Sequence, residues 1–147
     1  MSLDDVETYF ASLHARRHTA KPMQHRRVAS ESWSPKPSEC HANADFWANR
    51  NPHLMAVRGW MIMTEDGLGH CLYHAHSVIE EAGELYDITL KDQAECNPIL
   101  FLPHTGTDEE FWAFEKNHSQ TYFPFPTFEE MCAIASKGVA EDEEGAL

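Results

Sequence analysis

Residues 74–89, His74-Ala75-His76-Ser77-Val78-Ile79-Glu80-Glu81-Ala82-Gly83-Glu84-Leu85-Tyr86-Asp87-Ile88-Thr89, read as two strands joined by a tight turn. Ser77-Val78-Ile79 and Leu85-Tyr86-Asp87-Ile88-Thr89 are rich in β-branched and aromatic residues, and Glu-Glu-Ala-Gly-Glu between them carries the turn. Side chains alternate faces along a strand, so loop length decides which residues meet. A two-residue loop, Ala82-Gly83, sets Glu80 opposite Leu85, Val78 opposite Asp87 and His76 opposite Thr89. A four-residue loop, 80–83, sets His76 directly opposite Asp87. Either one puts His76 and Asp87 on one face, as diagonal or direct neighbours. A three-residue loop would pair Asp87 with Ser77 and separate the two. An imidazole beside a carboxylate is the base-and-orienter half of a catalytic triad, and Cys40 is the candidate for the missing nucleophile.

Upstream, Ser38-Glu39-Cys40-His41 opens a helix that Asn51-Pro52 ends. Ser38 is the expected N-cap, which places Cys40 in the first turn, with Phe46 and Trp47 as anchors to the core. A thiol there feels the positive end of the helix dipole and unpaired N–H groups, both of which favour the thiolate. The plainer reading of Cys40 is a small buried residue, as most free cysteines are.

The rest of the chain supplies the frame. Val6, Tyr9, Phe10 and Leu13 recur at helical spacing within a helix expected over 4–17, with Asp4 and Asp5 at its start and Arg16-Arg17 at its end. Residues 18–38 show no periodicity and read as an irregular basic stretch, carrying Arg26, Arg27 and Lys36. Strands are expected at 55–63, 71–79, 85–90 and 99–102, with Gly59-Trp60 read first as core packing and Gly59 alternatively as a bulge or a close backbone approach. Further helices are expected over 39–50, 108–116 and 128–137, the last two started by Thr107 or Asp108 and by the Thr127–Glu130 capping box. Short connections between strands imply an α+β fold: an antiparallel sheet of about four strands with the Cys40 helix packed on it. The chain is read as a single domain, 1–147, with an N-terminal helix and basic extension over 1–38, a core over 39–137 and an acidic tail over 138–147.

Composition narrows the function classes. A formal charge of −13 argues against general nucleic-acid binding, which needs a basic footprint. No apolar run approaches the roughly 20 residues of a membrane-spanning helix, and residues 1–13 lack a basic signal-peptide start, so a cytoplasmic location without membrane attachment is expected. Cys40, Cys71, Cys96 and Cys132 contain no C-x-x-C pair, and free thiols are the default in a reducing compartment.

The order Cys40, then His76-Ser77-Val78, then Gly83, then Asp87-Ile88-Thr89 resembles the papain-like superfamily, its transglutaminase-like branch above all. The resemblance covers about a third of the chain. It implies a papain-like core in which a Cys40 thiolate attacks an amide or ester, His76 moves protons and Asp87 orients the His76 ring. The product is a thioester resolved by water or an amine, with a peptide or small acyl substrate and no cofactor. His41 follows Cys40 where those enzymes often carry a tryptophan.

Two rival readings remain. One is a non-catalytic interaction domain on the same scaffold. The other is metal binding, because His70, Cys71, His74 and His76 crowd one segment, and Cys40, His41 or His104 could complete a tetrahedron. The expectation is nevertheless no structural zinc.

Overall fold

The computed structural model describes residues 1–65, 69–90, 99–127, 129–130 and 132–133. In chain order the elements are α1 (Leu3–Ala15), a short 3-10 turn (Arg17–Thr19), β1 (Lys21–His25), α2 (Cys40–Ala48), β2 (Leu54–Glu65), β3 (Cys71–Glu81), β4 (Glu84–Asp87), β5 (Ile99–Pro103), α3 (Asp108–His118) and β6 (Gln120–Phe123). Among the described residues no helix is long and apolar enough to cross a membrane.

β2 and β3 form a long antiparallel hairpin, with an irregularity between Ile62 and Thr64. From β2 the sheet continues through β5, β1 and β4 to β3, which pairs back onto β2 and so closes a five-stranded barrel. β1 runs parallel to β4, and every other pairing is antiparallel. β6 is an additional strand on β3. A barrel this small is filled by its own side chains. Here Met23, Met61, Val78 and Phe101, from four different strands, make one buried cluster, with Leu85 of β4 packed against it.

This corrects the expected antiparallel sheet of about four strands with one helix packed on it. The four expected strands are β2 to β5, but two more were hidden. Lys21–His25 buries only Met23 and contains Pro22, a residue that argues against an interior strand, so its sequence carries no alternation. It nonetheless inserts between β5 and β4, and that insertion is what closes the barrel. Gln120–Phe123 lies in an aromatic, proline-punctuated stretch that reads as loop. The expected helix over 128–137 falls outside the described residues apart from 129–130 and 132–133, and the acidic tail lies wholly outside them.

The helices cover the outer surface of the barrel. α1 starts in a capping box between Ser2 and Asp5 and buries Val6, Phe10 and Leu13 at helical spacing. These meet Trp60, Tyr73, Ala75 and Leu102 from the barrel and Phe111 of α3. α2 lies elsewhere, with Ala44 against Ile79, Tyr86 and Ile88.

One gap positions everything that follows. On the edge of β3 away from β2, β6 pairs only as far as His74–Gln120, and β4 pairs only from Ile79–Tyr86 onward. Ala75 N–H is taken by the Ser119 carbonyl. Among the described residues, His76, Ser77 and Val78 therefore have no strand neighbour on that side. The N-terminus of α2 fills the gap.

Gly59 sits on β2 opposite His76 and Pro103. A Cβ there would collide with the Leu102 carbonyl oxygen and the Phe101 ring, so the close backbone approach is the reading that applies. Gly59→Ala should lower the free energy of urea unfolding by about 1–3 kcal/mol. An unchanged unfolding midpoint would show that the barrel wall has slack at this point.

Candidate active site

α2 begins with Cys40 itself. Glu39 holds the N-cap position, and no side chain of its own caps the turn. Ser38, the expected N-cap, instead takes a left-handed φ of 62° and turns the chain into the helix. Cys40 thus stands at the first helical residue, among N–H groups that have no partner within the helix. The placement is braced by Asn43, which is buried one turn on. Its side chain bonds both the N–H and the carbonyl of Lys36, at 3.0 and 2.9 Å, and donates to Thr89 Oγ1 at 3.0 Å. One amide therefore ties the loop before Cys40 to the segment that follows Asp87.

The β3–β4 turn has two residues, Ala82 and Gly83, with φ of 52° and 82°, the left-handed pair that a tight hairpin requires. The pairs Glu81–Glu84, Glu80–Leu85 and Ile79–Tyr86 follow. This register makes His76 and Asp87 diagonal neighbours on one face, and His76 Nε2 lies 2.7 Å from Asp87 Oδ1. The other carboxylate oxygen accepts from Leu90 N–H at 2.6 Å and Thr89 N–H at 3.2 Å, and meets His25 Nδ1 at 2.9 Å. These local bonds draw the backbone away from the ladder, which is why β4 stops at Asp87 instead of running to Leu90.

With Nε2 spent on Asp87, the His76 ring has Nδ1 left to face the thiol, and Cys40 stands beside both His76 and His41. Burial alone would push the Cys40 thiol up. His41 and His76 beside it outweigh burial and bring the thiol down to about 6. Burial would push His76 down, but its bonds to Asp87 and Cys40 raise it to about 9. For Asp87, burial pushes upward and is outweighed by the bonds to His76, His25 and Leu90, which hold it below the usual carboxylate range. At neutral pH the pair is therefore thiolate and imidazolium, backed by a carboxylate.

Beyond His76 stands a second imidazole. His41 Nδ1 is 2.5 Å from Ser77 Oγ, and Arg58 donates to the same oxygen at 2.9 Å. Arg58 is buried, with its guanidinium bonded to Asp45, 3.6 Å from Asp108 and stacked over Trp112. It thereby clamps α2, β3 and α3 together.

The structure thus brings Cys40, His76 and Asp87 into one contact chain. Of the other residues weighed for a metal, His70 and His104 are engaged elsewhere. His70 bonds the Pro124 carbonyl and Glu130, and His104 bonds Tyr9 and the Thr107 carbonyl. His74 is half-buried, and burial, followed by the charge of His76, lowers its pKa. Among the described residues, no group of three or more His, Cys, Asp or Glu side chains is arranged to hold a metal.

Reading the sequence missed His25, Ser77, Arg58 and Asn43 as parts of this constellation, and weighed His41 only as a metal ligand. For His25, Arg58 and Asn43 no local pattern could have served, because each acts across the fold. Ser77 had a signal, its place beside His76 on the strand that borders the α2 terminus.

No protein-family model, curated protein or solved structure matches the chain.

The pH dependence of stability follows from these shifts. A raised imidazolium contributes fully below its unfolded value, about 6.5, and loses its contribution as pH rises through about 9. A lowered thiol contributes fully above its unfolded value, about 8.5, and loses its contribution as pH falls through about 6. As a unit, the pair is intact between those two limits. Asp87, being lowered, adds a further loss only in acid, below about 3.9. Urea midpoints of wild type and Cys40→Ala should therefore differ most between pH 6 and 9 and converge on both sides. A difference independent of pH would mean that the thiol contributes only packing.

Proposed function

We propose that this protein is a cysteine-dependent hydrolase or acyltransferase that acts on an amide or ester through Cys40, His76 and Asp87. The observation that carries the reading is the placement of Cys40, at a helix N-terminus, beside His76, whose far nitrogen is 2.7 Å from a buried carboxylate. A buried histidine with an aspartate is common in structural networks. A thiol held at the end of such a network, and only half-buried, is the arrangement a nucleophile needs.

The chemistry runs as follows. The Cys40 thiolate forms a bond to the acyl carbon, and the carbonyl π pair moves onto oxygen. Collapse of that intermediate expels the amine or alcohol, which takes the proton from the His76 imidazolium and leaves a thioester. Water or an amine then attacks, gives its proton to the now neutral His76, and releases the thiolate. Asp87 keeps the His76 ring in the orientation and tautomer that both transfers need. The backbone N–H of Cys40 is placed to meet the developing oxyanion. This resembles the transglutaminase-like scheme in residue order, carried here on a mixed barrel. Free thiols at Cys40 and Cys132 suit a reducing compartment such as the cytoplasm.

Iodoacetamide alkylation followed across pH tests the reading, with labelling assigned cysteine by cysteine. Cys40 should label with a midpoint near 6, well below the value of about 8.5 for an ordinary thiol. The midpoint is the readout, because a thiolate of higher pKa is intrinsically more nucleophilic and masks part of any lost thiolate fraction. His76→Ala should move the Cys40 midpoint toward 8.5, and Asp87→Asn should move it less. A wild-type midpoint near 8.5, indifferent to His76, would sink the proposal and leave a binding domain.

A further inference from the structure

Ser77 is fully buried, and its hydroxyl oxygen already accepts a hydrogen bond from Arg58 at 2.9 Å. Its own proton needs an acceptor, and His41 Nδ1 lies 2.5 Å away. Ser77 therefore donates to Nδ1, which puts the His41 ring proton on Nε2. The Arg58 guanidinium has no proton-accepting role to offer, so this polarity cannot be reversed through it. The His41 ring is further held edge-on against Trp112, centroids 4.8 Å apart, and against Phe111 at 5.8 Å. With Nδ1 spent on Ser77, Nε2–H is the ring group left to His41 for the neighbouring Cys40 sulfur.

The two imidazoles beside Cys40 are thus wired in opposite senses. His76 is backed by a carboxylate, which suits it to take and return a proton. His41 is backed by a hydroxyl that donates to it, which suits it to present a fixed N–H. We propose that His41 is a second catalytic residue, whose Nε2–H stabilises the Cys40 thiolate at rest and the carbonyl oxyanion during acyl transfer, with Ser77 and Arg58 as positioning residues. In the step itself the Cys40 sulfur bonds to the acyl carbon and the carbonyl electron pair moves to oxygen. His41 hydrogen-bonds that oxygen without giving up its proton, and His76 alone supplies the proton to the leaving group. The inference rests on the thiol-enzyme reading of Cys40, and adds to it the donor that reading needs beside the helix N-terminus.

The test compares two reagents that differ in whether an oxyanion forms. Iodoacetamide is attacked at a saturated carbon and forms none. p-Nitrophenyl acetate passes through a tetrahedral oxyanion, and its thioester on Cys40 is detected by intact mass. His41→Ala and His41→Asn should lower the rate of acylation about a hundredfold, the scale of losing one oxyanion donor. Alkylation by iodoacetamide, measured above the thiol midpoint, should change little. His41→Gln, whose side-chain amide nitrogen can reach the place of Nε2, should keep acylation within about tenfold of wild type. Ser77→Ala, which retains the ring but frees its tautomer, should fall between the two.

Should His41→Ala fail to fold, His41→Gln against His41→Asn carries the comparison, with folding checked by circular dichroism. Equal ratios of acylation to alkylation across the series overturn the role of His41 while leaving the triad intact. A wild-type protein that alkylates with a midpoint near 6 but forms no thioester also overturns it. A wild-type midpoint near 8.5 removes the thiol-enzyme reading itself, and the His41 proposal with it.

Discussion

A carboxylate with 1% of its surface exposed cannot remain charged without partners, and Asp87 has four of them. His76 takes one oxygen, while His25 and the N–H groups of Thr89 and Leu90 take the other. Each partner fixes a different part of the fold. His76 belongs to the longest hairpin, His25 ends the strand that closes the barrel, and the two backbone donors end β4 where Asp87 stands. If Asp87 were neutral, the parallel β1–β4 contact and the orientation of His76 would weaken together. The candidate chemistry and the closure of the barrel share one ion.

The position of the thiol depends on what the sheet leaves open. β4 and β6 both pair with the same edge of β3 but do not meet, and the uncovered residues include His76 and Ser77. A helix N-terminus fits there because its own leading N–H groups also lack partners. Asn43, within the helix, then ties it to the loop before it, and Arg58 holds it from the strand beneath. Burying a guanidinium is costly unless it is fully engaged. Arg58 meets it in part, gathering Asp45, Ser77, Asp108 and Trp112 while its buried Nε has no hydrogen-bond partner, and so ties three elements to a single side chain.

What could be read from the chain alone divides along physical lines. The β3–β4 hairpin was legible, because β-branched and aromatic enrichment and an Ala-Gly turn are local signals. The two-residue turn, one of the lengths the sequence allowed, is what puts His76 and Asp87 on one face. Cys40 at a helix start was legible too, although the turn before it uses a left-handed Ser38 that no cap rule anticipates. The barrel was not legible. Its closing strand buries one side chain, carries a proline, and owes its existence to partners far away in sequence, so neither periodicity nor propensity marks it. His25 and Arg58 were hidden for the same reason, since a side chain that serves a distant partner leaves no pattern beside itself.

The central claim is that Cys40 and His76 form a thiolate–imidazolium pair at neutral pH. The most direct measurement is the ultraviolet thiolate absorbance of wild type minus Cys40→Ser, titrated across pH. The account predicts that the difference signal appears with a midpoint near 6. A signal that rises only near 8.5, where an ordinary thiol ionises, would contradict it.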